Sequence, residues 1–224
     1  MTVAVAIDGP SGAGKSTVGR ALARRIGARF VDTGVMYRAL TLAALDRGID
    51  LDDGPALGAL AETCRIEIER APLSHSDQLE VVLLDGRDAS AEVREPRVDR
   101  AVSAVSRHRE VREAMLPGQR TAAFRGDVVM VGRDIGTVVL PDATLKVYLT
   151  ASAEVRAARR TAEMGAPDRF EEYLAEIRRR DQADSEREVA PLRIPAGALT
   201  LDTGELDVDG CVEAIVRRLE EIGE

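Results

Sequence analysis

The sequence predicts an α/β fold of three layers: a five-stranded parallel sheet with helices on both faces, plus a small antiparallel β insert. Three observations carry that expectation. Short β-branched apolar runs alternate with helical periodicities along most of the chain. The first such run leads through a glycine-rich turn directly into a helix. Between residues 64 and 90 the period drops to two, the mark of half-solvated strands.

Taken in order, Val3 to Asp8 reads as a buried strand and residues 18–26 as a helix. Between them, Gly9-Pro10-Ser11-Gly12-Ala13-Gly14-Lys15-Ser16-Thr17 fits G-x-x-x-x-G-K-[ST], the phosphate-binding P-loop. Its glycines let backbone N–H groups converge on phosphate oxygens, and the helix N-terminus adds partial positive charge. Lys15 is expected to reach the β- and γ-phosphates, and the Ser16 hydroxyl to ligate Mg²⁺. Residues 28–32 form a second strand. Thr33 then looks like a helix N-cap, Met36, Leu40, Leu42, Ala43 and Leu45 give that helix its apolar face, and Gly48 ends it. Residues 54–63 read as a short helix.

The insert follows. Arg65 to Arg70 alternates strictly, Pro72 to Gln78 is a polar turn, Leu79 to Leu84 is a returning strand, and Asp85-Gly86 is a tight turn. From Pro96 to Phe124 apolar residues recur at helical spacing, with a break expected near Pro117-Gly118. Val128 to Val131 and Leu145 to Leu149 are buried strands. Residues 152–163 and 168–187 are helices joined through Gly165-Ala166-Pro167. Residues 198–201 and 207–222 are the last strand and helix. Residues 1–63, 91–151 and 190–224 thus group as the core, 64–90 as the β insert and 152–189 as a helical lid region. In such a sheet, ligands gather at the carboxyl ends of the strands.

Composition narrows the function. The net charge of −8 and only 3% aromatic residues argue against nucleic acid as a partner. No run of eighteen apolar residues points to a membrane, and the N-terminus lacks a signal-peptide pattern. Cys64 and Cys211 are isolated, which suits a reduced cytoplasmic protein without structural zinc. No apolar patch stands out, so a monomer is expected. Lys15 and Lys146 are the only lysines, and asparagine is absent. The missing asparagine removes the Asn-Lys-x-Asp element by which GTP-binding switch proteins read guanine.

Two strand ends carry arginine beside small residues, at Asp32 to Arg38 and at Gly132-Arg133-Asp134-Ile135-Gly136-Thr137. Each suits an anionic ligand opposite the triphosphate. Arg156, Arg159 and Arg160 share a helix face, and Arg180 and Arg187 lie two turns apart with Asp181 and Asp184 between them. That stretch is either a solvated charged surface or a mobile segment that closes over transferring phosphate.

The motifs together resemble the bacterial cytidylate kinases, within the nucleoside monophosphate kinases. The resemblance rests on Asp8 to Thr17, Asp32 to Arg38, Val111-Arg112-Glu113, Gly132 to Val139, and Arg180-Asp181 through Asp184 and Arg187 to Leu192. It implies transfer of the γ-phosphate of ATP to CMP, and to dCMP, with Mg²⁺. It implies that Arg38, Arg133 and Arg187 hold the monophosphate, with Thr33 and Tyr37 in the same segment as Arg38. Ser103, Arg112 and Asp134 would read cytosine, and Arg180 and Asp184 would contact the ribose. Arg156 and Arg160 would belong to the lid over ATP, sharing catalysis with Lys15 and Arg133. The hydrogen bonding fits: Asp134 only accepts and Arg112 only donates, matching cytosine's amino group and its N3 and O2. Asp134 as a structural cap or a magnesium-side group is the alternative. Rival acceptors are UMP, AMP or a small metabolite such as shikimate. His75 and His108 receive no role and are expected at the surface, because a monophosphate oxygen is already anionic.

Overall fold

The computed structural model describes residues 2–70, 80–124 and 126–223. The expected turn at Pro72 to Gln78, with His75, lies outside the described residues. Among these residues the strands are β1 (Ala4–Asp8), β2 (Arg29–Asp32), β3 (Ile66–Arg70), β4 (Glu80–Leu84), β5 (Arg87–Asp88), β6 (Val128–Gly132), β7 (Leu145–Thr150) and β8 (Leu199–Asp202). The helices are α1 (Lys15–Ile26), α2 (Thr33–Asp46), α3 (Gly54–Thr63), α4 (Pro96–Ser106), α5 (Arg109–Ala123), α6 (Ala153–Glu163), α7 (Phe170–Glu186) and α8 (Val208–Gly223). The chain divides into two compact units, residues 1–28 with 126–224, and residues 29–125.

The first unit is built on the parallel sheet. Its strands run in the order β6-β1-β7-β8, with β2 as the fifth strand of the sheet. Val5, Ala6 and Ile7 of β1, Val128 to Val131 of β6, and Val147 and Leu149 of β7 are all buried. β1 and β6 are apolar on both faces, as a parallel sheet covered by helices requires, while β7 alternates, with Lys146, Tyr148 and Thr150 half-buried. The register pairs Asp8 with Gly132 and with Tyr148, so β1 and β6 finish together and β7 runs two residues further.

The second unit carries the antiparallel sheet β3-β4-β5. Ile66 pairs with Leu84, and Leu84 with Arg87. The turn between β4 and β5 is Asp85-Gly86, with φ of 51° and 82°. Positive φ at both central residues matches the right-handed twist of a hairpin, as the Asp-Gly signal predicts. Val82 and Leu84 turn inward onto α2, α3 and α4, in a core with Leu40, Leu42, Leu57, Val98, Val105 and Val111.

Three local expectations are corrected. The cap of α2 is Asp32, whose carboxylate accepts from the Gly34 N–H at 2.9 Å, and Thr33 is the first helical residue, buried to 3% exposure. A carboxylate caps this end as well as a hydroxyl does, and adds charge favourable to the helix dipole. The break between α4 and α5 falls at Arg107-His108, while Pro117 lies inside α5. Packing decides this. The first turn of α5 sits on the glycines of α3, and a Cβ on Gly58 would lie 2.6 Å from the Glu110 Cβ. The α4 axis cannot continue through that contact. His108 stands at the turn, half-buried, its Nε2 donating to the Leu51 carbonyl at 2.8 Å. It is therefore a bridging residue and not a surface one.

Candidate active site

In the first unit the site begins where β1 ends. Gly9 has φ 151°, and a Cβ there would fall 2.1 Å from the Leu149 carbonyl oxygen. The chain passes too close to β7 for any other residue. Gly12 and Gly14 take φ of 77° and 79°. This left-handed backbone curls the loop so that its amides face inward above α1. Lys15 is buried, and its ammonium donates to the Pro10 carbonyl at 2.6 Å, folding the side chain back over the loop. Ser16 follows it in the first turn of α1.

The loop is held from below by contacts that the sequence did not reveal, although it did single out Arg156. Arg156 is 4% exposed. Its Nε donates to the Ala151 carbonyl, its Nη1 to the Ser11 carbonyl at 3.1 Å, and both terminal nitrogens to Asp181 at 2.9 and 2.6 Å. Arg156 thus ties the loop to α7. The Thr203 hydroxyl donates to the Ala13 carbonyl at 3.3 Å, and Arg159 donates to Thr203 from the other side. Of these, Asp181 was visible as an acid among arginines. Thr203, a single hydroxyl after a strand, gave no signal.

The Gly132 to Thr137 segment leaves β6 and enters a five-residue π-helical turn, Ile135–Val139. Its first two amides, Ile135 and Gly136, each donate to a carboxylate oxygen of Asp8 at 2.7 Å. Arg133 donates from Nη1 to the Gly9 carbonyl at 3.3 Å and from Nε to Asp184 at 2.7 Å. Arg187 lies on the other side of Asp184, with Nη1 at 3.7 Å, and its Nε donates to the Ala190 carbonyl. Burial pushes the Asp184 carboxyl up, but Arg133, Arg187 and Lys15 outweigh it and hold the group below its usual value. Lys15, Arg133, Asp184 and Arg187 therefore form one charged cluster beside the phosphate loop. Asp134 is buried. Arg180 approaches Glu176 at 3.9 Å and Arg160 approaches Glu163 at 3.8 Å on more exposed faces.

Asp8 is the other acid of this unit, with 0% exposure. Burial, added to by nearby Asp134, pushes its carboxyl from 3.8 up to about 6, against the pull of the two amides and Lys15. A folded-state value above the unfolded one means that the fold binds the proton more tightly. The stability this group contributes is present below about pH 4 and is lost as pH rises through about 6, a change of about 3 kcal/mol. Urea unfolding should therefore show the Asp8→Asn chain gaining on the wild type by up to about 3 kcal/mol from about pH 4 to about pH 7. A difference that is flat with pH counts against this.

The second unit holds the remaining sequence-selected residues. Tyr37 and Arg38 lie on α2, Ser103 on α4 and Arg112 on α5. The Arg112 guanidinium stacks over the Tyr37 ring, 5.2 Å from its centroid, and its Nη1 donates to the Ser106 carbonyl at 3.0 Å. Arg112 is 6% exposed, so the ring and carbonyl fix a plane of donors in a dry setting. Arg38 pairs with Asp99 of α4 and also donates to the Val93 carbonyl. Among the described residues no three His, Cys, Asp or Glu side chains gather as a metal site, and no helix is long and apolar enough to cross a membrane.

Comparison with known proteins extends these observations. The family model described as cytidylate kinase matches residues 5–221. A cytidylate kinase of an Exiguobacterium species is 47% identical over 221 residues, covering 97% of this chain and 96% of the relative. A cytidylate kinase of Shouchella clausii is 47% identical, covering 97% and 96%. Among solved structures, a gluconokinase from Sinorhizobium meliloti aligns with a TM-score of 0.51 at 16% identity, over 99% of this chain and 95% of that one. That last likeness shows the fold alone.

Proposed function

The chain belongs to the cytidylate kinase family, the ATP-dependent nucleoside monophosphate kinases, and on that premise we propose that it transfers the γ-phosphoryl group of ATP to CMP and dCMP. The observation that carries the proposal is the bond from Arg133 to the Gly9 carbonyl. It joins an arginine of the Gly-Arg-Asp-Ile-Gly-Thr segment to the first residue of the phosphate loop. A cation at that point serves a second phosphate beside the donor.

The loop amides of residues 9–17 and the Lys15 ammonium hold the β- and γ-phosphates. Arg133, Arg187 and Arg38 are assigned to the acceptor phosphate, whose charge they would neutralise. Each arginine now spends donors on a carbonyl or a carboxylate, which an arriving phosphate replaces with a stronger, doubly charged acceptor. The acceptor oxygen is its own nucleophile, so the work is alignment and charge neutralisation. Asp134 and Arg112, with Ser103, read the cytosine edge. Thr33 and Tyr37 line the monophosphate side, and Arg180 with Asp184 the ribose. Arg156 and Arg160 act from the helical lid region 152–189, Arg156 through the loop it holds.

Mg²⁺ fits this set of donors. The residues offer it a single hydroxyl, from Ser16, beside a cradle for phosphate, which suits an ion that keeps water and phosphate oxygens as most of its ligands. When bound it would neutralise charge across the β- and γ-phosphates. The site is proposed to work as a monomer in the cytoplasm, without nucleic acid.

Initial rates with CMP, dCMP, UMP and AMP at saturating ATP test the reading. The cytidine nucleotides should lead by a wide margin. Comparable rates on AMP would sink the cytosine assignment.

A further inference from the structure

Asp8 is fully buried and charged, and the reaction as described does not use it. It interrupts an apolar strand at its last position, where a β-branched residue would continue β1 without strain. The fold disfavours its charge, because burial and Asp134 together outweigh Lys15 and the two amides. An acid kept where its ionisation costs stability has another reason to be there.

That reason lies in what it grips. Each oxygen takes one backbone N–H, from Ile135 and from Gly136, both at 2.7 Å. Its own backbone pairs with Gly132, and the next carbonyl, on Gly9, accepts from Arg133. Residues 8 and 9 therefore hold the 132–136 segment at Gly132, Arg133, Ile135 and Gly136. Between the gripped points stand Arg133 and Asp134. Two adjacent N–H donors call for two acceptors side by side, which only a carboxylate supplies. An asparagine would offer one oxygen and turn an NH₂ against the other amide, so the turn would have to rotate.

We propose that Asp8 is a positioning residue for the acceptor nucleotide: its carboxylate fixes the 132–136 turn and so aims Arg133 and Asp134 from the same point where the phosphate loop begins. The proposal rests on the reading of those two residues as acceptor contacts.

The test is Asp8→Asn in the full chain. KM for CMP is expected to rise about tenfold or more, as misaimed contacts do, while KM for ATP stays within about twofold of wild type. At neutral pH the melting temperature should be unchanged or higher, and amide exchange over 133–137 should quicken while that of α8 does not. A purely structural acid would instead lose stability and raise both KM values together. An Asp8→Asn chain that fails to fold, or one whose KM for CMP is unchanged, overturns the proposal. A wild-type enzyme that ignores CMP but uses another monophosphate overturns the cytosine reading alone, and the same KM comparison with that acceptor then decides the role of Asp8.

Discussion

Lys15→Ala is expected to lower turnover about 10³-fold, close to 4 kcal/mol of transition-state stabilisation, with the fold intact. The side chain is buried at the mouth of α1, and its ammonium is held 2.6 Å from the Pro10 carbonyl. A carbonyl is a weaker partner than a phosphate, so the charge is poised to be drawn off by the donor nucleotide. Its removal also strips compensation from Asp8 and Asp184, both of which feel its charge. The Asp8 carboxyl should then titrate higher still, and the variant should be least stable relative to wild type above about pH 6. Stopped assays with and without CMP, together with urea unfolding, separate the two effects. Turnover within about tenfold of wild type would remove Lys15 from the proposed role.

Asp134→Asn is expected to erase the preference for cytosine. Its carboxylate only accepts, and so pairs with the C4 amino group but repels the O4 of uracil. The asparagine amide can donate to O4. Sites built on such hydrogen bonds discriminate by large factors, so kcat/KM for CMP should fall by about 10²-fold or more while that for UMP holds or rises. The backbone carbonyl of Asp134 accepts the Val138 and Val139 amides that close the π-helical turn. The substitution leaves both of these backbone bonds in place. An unaltered ratio of CMP to UMP would show that the base is read elsewhere.

Much of this molecule is legible in its sequence because the signals are local. The Gly9–Thr17 loop declares its function by spacing, and the apolar strands β1 and β6 declare a covered parallel sheet by lacking any alternation. Asp85-Gly86 specifies its hairpin because two positive φ angles are a property of two residues. What was not legible depends on partners far along the chain. Nothing near Arg156 says that Asp181 will take both its terminal nitrogens, nor near Arg38 that Asp99 will pair with it. The break at His108 was hidden for the same reason. Pro117 is the stronger local breaker, yet the contact of Glu110 with Gly58 of α3 decides where one helix ends and the next begins. Asp8 was read as part of a motif, and only its two amide partners show why an acid stands there.

The near-absence of lysine gives Arg156 a meaning of its own. A composition biased toward arginine makes any one arginine look like an accident of codon supply. At Arg218, exposed and paired with Glu221 three residues on, it can be one: a drift to lysine there would cost little. Arg156 divides its fork among Ala151, Ser11 and both oxygens of Asp181, and a point charge on a flexible stem cannot meet all of them. If a descendant lineage drifted back toward lysine, the surface arginines would be the first exchanged. Position 156 would be among the last, and its persistence would record a geometric need that composition conceals.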